Sequence, residues 1–163
     1  MPYLIPPRTP LTPEQVERAF DYLLALQMGG GSNVAGRAEA DPELAFLLLR
    51  VAEDIIWPMA AVGEESDPHS DSFALEEFGC ILLSALRDWA RDSPTTGALG
   101  IARSIIRFVV NVFPAPDDED VIIPRWMPDA DNPHGDTATT LETIRDEHLV
   151  LAHAMHSAPG THR

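Results

Sequence analysis

Lysine is absent from this chain. Its eleven basic residues are all arginines, set against 26 acids, for a formal charge of −15. The absence excludes a Schiff-base amine, a phosphate-loop lysine and an isopeptide acceptor, and it makes every fixed positive charge a planar guanidinium. Arg, Ala, Pro and Asp replacing Lys is the codon signature of a GC-rich genome, so a GC-rich bacterium or its phage is the expected source. Cysteine is nearly absent too: Cys80 alone cannot form an internal disulfide and suits a reducing cytosol. Aromatics make up only 7% of the chain. The longest strictly apolar run, Leu44 to Leu49, is far too short to span a bilayer. The opening Met1–Pro7 lacks the charged start and apolar run of a signal peptide. The expectation is a cytoplasmic protein with no membrane contact.

Excess negative charge also argues against direct nucleic-acid binding, which depends on counterion release by a basic surface. The acids either keep the domain soluble or meet a basic partner, in the extreme by imitating a phosphate array.

The 163 residues, 45% of them hydrophobic, suit one helical domain with a real core. Thr12, Pro13 and Gln15 form a capping box with proline at the first helical position, and Leu11 with Val16 forms a hydrophobic staple. The helix they open runs on the stripe Val16, Phe20, Leu23 and Leu24 and ends at Gly29-Gly30-Gly31, with Gly29 suited to a left-handed cap. A second helix is expected from Asp41-Pro42 to about Trp57, where Pro58 breaks or kinks it. A third runs from Ser72 or Phe73 to Asp92, with Leu75, Phe78, Leu82, Leu86 and Trp89 on its core face. A fourth follows from Ser93-Pro94 to about Phe113, and a fifth opens at Asp136 or Thr137 with Leu141, Ile144, His148, Leu151 and Met155 facing inward. The fold class is therefore all-α, a single-domain bundle of about five helices over residues 1–163. Residues 1–11 form an extended N-terminal arm, residues 114–136 a proline-rich acidic connector before the last helix, and residues 158–163 a frayed tail.

The second and fourth of these helices are apolar on nearly every side. Such helices must be enclosed, and three amphipathic neighbours can hardly enclose two. Either a second chain covers the remainder, giving a homodimer through helix 2 or helix 4, or the connector and arm cover it.

No catalytic constellation is legible. His153 and His156 are spaced as metal ligands on a helix, but His148 diverges from them, and no second Glu-x-x-His pair exists for a di-metal bundle. Asp129, Asp131, Asn132, His134 and Asp136 miss the glycine and terminal glutamate of a calcium loop. Cys80, among Phe78, Ile81 and Leu82, reads as a small core residue. No metal or cofactor is expected. Arg103 and Arg107, one turn apart on a helix without acids, together form a candidate clamp for a carboxylate or phosphate, with His148 as a further ligand contact. Asp117, Asp118, Glu119 and Asp120 with Trp126 make the connector a candidate partner-binding segment. The leading expectation is a non-catalytic, protein-binding module, acting as adaptor, inhibitor or regulatory subunit toward a basic protein partner. The alternatives are a small-molecule-binding or metal-dependent helical-bundle enzyme, using Arg103, Arg107 and His148, and a nucleic-acid-mimicking inhibitor.

Overall fold

A computed structural model describes residues 9–61, 72–112 and 135–157. Among the described residues the regular structure is entirely helical, in six helices: α1 (Pro13–Gln27), α2 (Gly31–Ala40), α3 (Leu44–Ala61), α4 (Ser72–Asp92), α5 (Pro94–Val112) and α6 (Gly135–Ser157). The expected connector, apart from the start of α6, lies outside the described residues, as do the tail over 158–163 and most of the N-terminal arm.

Helix α1 starts as its sequence dictates. The Thr12 backbone N–H donates to Gln15 Oε1 at 2.9 Å, and the Gln15 N–H donates to Thr12 Oγ1 at 3.2 Å. Leu11 and Val16 are both buried. The helix ends in a Schellman motif: the Gly30 N–H reaches the Ala25 carbonyl and the Gly29 N–H the Leu26 carbonyl. Gly29 takes φ +81°, where a side chain would be strained.

Helix α2 is the element the sequence reading misses. Its ten residues, Gly-Ser-Asn-Val-Ala-Gly-Arg-Ala-Glu-Ala, are poor helix formers at two positions and open without a side-chain cap. What holds them is packing, because Val34 and Ala38, four apart, are both buried. Asp41 then caps the next turn, accepting from the Glu43 N–H at 3.1 Å. Arg18 on α1 ties this turn down, with its Nε 3.1 Å from Asp41 Oδ2 and its Nη2 3.1 Å from Glu43 Oε2. Helix α3 carries on past Pro58 to Ala61 instead of stopping at Trp57. Pro58 is exposed.

Helix α5 is the hub, packing on all five others, while α1 also pairs extensively with α6, and α3 with α4. The extra apolar surface expected on the helices over 42–57 and 94–113 is covered within the chain. Helix α2 lies on α5, and Phe46 is the one large exposed apolar side chain on α3 among the described residues. Exposed large apolar residues instead lie on α4 (Phe78, Ile81, Trp89) and α6 (Val150, Leu151, Met155). Phe78 and Trp89 are thus not core residues, and neither is Cys80, which is exposed. Helix α4 buries Gly79, Leu83, Leu86 and Ala90, a row turned by about a quarter of a revolution from the expected one.

Only Ser93 separates α4 from α5, and the two approach closely at glycines. A Cβ on Gly97 would sit 2.7 Å from the Trp89 carbonyl oxygen, whereas one on Gly100 would meet the Trp89 indole at 2.8 Å. Backbone cannot retreat, but a half-exposed ring can. Gly97→Ala is therefore expected to destabilise by about 1–3 kcal/mol in urea titrations. Gly100→Ala should stay within about 1 kcal/mol of wild type, since better helix propensity offsets the shifted ring.

Candidate functional site: a groove and an arginine recess

Between α3 and α6, floored by the start of α1, lies an open groove of about 570 Å³. Helix α3 supplies Arg50, Glu53, Asp54 and Trp57, whose spacing puts them on one face. Helix α6 supplies Glu147, His148, Leu151, Ala152 and Met155, again one face, and Pro10, Leu11 and Val16 close the end. Leu151 and Met155 are more than half exposed, at 59% and 53%, although the sequence pattern places them in the core.

Most polar groups at the base of the groove are already engaged, although the buried Arg50 Nε has no hydrogen-bond partner. Glu53, 3% exposed, accepts from both Nε and Nη2 of Arg87 on α4, at 3.0 and 2.8 Å. Arg50 stands 3.9 Å from the other Glu53 oxygen and donates to the Thr9 carbonyl at 2.9 Å. His148 Nδ1 lies 2.8 Å from the Ile144 carbonyl. A carbonyl only accepts, so Nδ1 carries the proton of this contact. The ring also packs on Phe20, with centroids 5.5 Å apart. His148 is thus held in place by neighbours on two sides. The groove therefore offers apolar walls, with the exposed carboxylate residues Asp54 and Glu147 among its lining.

Arg103 and Arg107 do not join His148 there. Both are exposed on α5, and neither lines the groove. Their guanidinia, with that of Arg37, pair with no acid among the described residues. Asp117, Asp118, Glu119, Asp120 and Trp126 lie outside the described residues. Among the described residues no three His, Cys, Asp or Glu side chains cluster as metal ligands, and no helix is long and apolar enough to cross a membrane.

A second, smaller recess of about 190 Å³ is lined by Arg18, Tyr22, Arg37, Ala40, Asp41 and Leu44. Tyr22 is fully buried, and its hydroxyl has no hydrogen-bond partner. Burial raises its pKa above the ordinary 10.0, opposed by the nearby charges of Arg103 and Arg37. A buried hydroxyl without a partner is a cost, so Tyr22→Phe should stabilise the protein by about 1 kcal/mol in chloride buffer near neutral pH. The sign above pH 10 follows from linkage. The unfolded chain loses the phenolic proton while the folded chain keeps it, so wild-type stability is intact below pH 10 and drains as pH climbs through the raised folded value. The advantage of Tyr22→Phe should accordingly widen in alkaline urea titrations.

Sequence reasoning missed both sites. Trp57 and Tyr22 carry no local signal beyond that of core residues, and Arg37 stands in a segment read as a connector. Comparison with known protein families, curated proteins and solved structures finds no match to this chain.

Proposed function

We propose that this chain is a non-catalytic protein-binding module whose α1–α3–α6 groove takes a basic amphipathic segment of a partner protein. The observation that carries this reading is the pairing of exposed apolar side chains, Leu151 and Met155, with the exposed Glu147 carboxylate in one open groove. Trp57 provides a large, stiff aromatic wall, and Met155 an adaptable one, as protein interfaces favour. The surrounding charge of −15 draws a basic segment in and repels acidic competitors.

A fluorescein-labelled synthetic helix with leucines on one face and lysines on the other is the test. Fluorescence anisotropy should show saturable binding that weakens as salt rises. The double variant Leu151→Ser, Met155→Ser should lose at least about tenfold in affinity. Phe78→Ser with Ile81→Ser, outside the groove, should change it little. Equal binding of an all-lysine peptide, or no loss in the α6 variant, would show that charge alone is at work and defeat the proposal.

A further inference from the structure

We infer that His148 makes the groove pH-sensitive, its protonation lowering the affinity for a basic segment. The inference rests on the groove reading above and adds its regulation. His148 lines the groove, and of the side-chain classes that line it only imidazole changes charge between about pH 5 and 8. His153 and His156 stand on the same helix but outside the lining. The His148 ring is also fixed in place. Its Nδ1 donates to the Ile144 carbonyl at 2.8 Å, and its centroid lies 5.5 Å from that of Phe20. Because Nδ1 carries the proton of that contact, the titrating atom is Nε2. A charge that appears there stays at the groove wall instead of swinging into water.

The surrounding charges decide the sign of the effect. Helix α3 presents Arg50, Glu53 and Asp54 to the groove, and α6 presents Glu147, while Arg145 and Asp146 pair with each other outside the lining. The start of α1 contributes only Pro10, Leu11 and Val16, with Phe20 against the ring, and its exposed acids Glu17 and Asp21 lie outside the lining. On α5, which also packs on α6, Arg103 and Arg107 lie outside it as well. Arg87 reaches Glu53 from α4. Even with Arg87 counted, these carboxylates exceed the guanidinia by one, so a neutral His148 leaves the groove negative. An imidazolium cancels that excess and repels the lysine or arginine side chains that the occupant brings in.

Fluorescence anisotropy with the leucine–lysine helix, whose own charge is constant over this range, tests the inference. Sodium chloride at about 0.15 M screens the protonation of histidines remote from the groove. Wild-type affinity should fall at least about threefold between about pH 7.5 and 5.5. His148→Asn, which can still donate to the Ile144 carbonyl but has no titrating ring, should bind with little dependence on pH. His153→Asn should retain the fall. By reciprocity, saturating peptide should lower the midpoint of the His148 ring resonances in an NMR pH titration by about half a pH unit. That readout holds even if His148→Asn folds poorly. Equal falls in wild type and His148→Asn, or a midpoint unmoved by peptide, would overturn the inference and leave the groove reading intact. No peptide binding at either pH would defeat the groove reading, and this inference with it.

Discussion

Arg87→Met should cost about 3–5 kcal/mol of folding stability, measured as a shift of the urea midpoint without a change in slope. The substitution retains much of the packed length of the side chain but strips two hydrogen bonds from a carboxylate that is almost wholly out of water. Arg50 offers only an ion pair at 3.9 Å, with its Nη2 serving the Thr9 carbonyl. The remedy is to remove the buried charge as well. Glu53→Met combined with Arg87→Met should recover part of the loss, because an apolar pair escapes the desolvation that a buried carboxylate suffers. A double variant no better than Arg87→Met alone would mean that packing around Arg87, and not the ion pair, holds α3 to α4.

Phe20→Ala should have a comparable effect, about 3–5 kcal/mol. Its ring is fully buried in α1, faces His148 of α6, and belongs to the packing that joins these two helices. The loss should also loosen His148 and blunt peptide binding in the groove. Phe78→Ala is the informative contrast. The sequence stripe ranks both phenylalanines as core, but Phe78 is 55% exposed, so its truncation should cost less than about 1 kcal/mol. Equal costs at the two positions would mean that α4 is rotated from the face described above.

That contrast shows where sequence reasoning reached its limit. The capping box at Thr12, the staple, the left-handed Gly29 and the boundaries of α4 and α5 were legible because each depends on residues within a turn or two of one another. The α4 face was not. Phe78, Ile81, Leu82, Ala85 and Trp89 form one apolar row and Gly79, Leu83, Leu86 and Ala90 form another beside it. Periodicity reports a stripe without saying which neighbour meets it. Helix α2 escaped notice for a different reason: its glycines speak against helix locally, and Val34 and Ala38 repay them only once α5 is in place. Without α2, the sequence pattern alone makes α5 look under-covered. The groove and the recess draw on helices far apart in the chain, so no local motif announces either. That Arg103 has no acidic neighbour on its own helix was readable. Its effect on Tyr22, shared with Arg37, was not.

The pairing of α1 with α6 has a kinetic meaning. More than a hundred residues separate Gln27 from Gly135, so this contact closes the longest loop between packed helices in the fold, whereas α3, α4 and α5 are near neighbours along the chain. Helix α6 leans mainly on α1 and α5 and stands off α3 across the groove. Detachment of α6 as a unit is therefore the expected partial opening, with its amides exchanging with deuterium together. A guest lodged against Leu151 and Met155 bridges α6 to α3 and slows that detachment, so occupancy would be written in the exchange rate of a single helix.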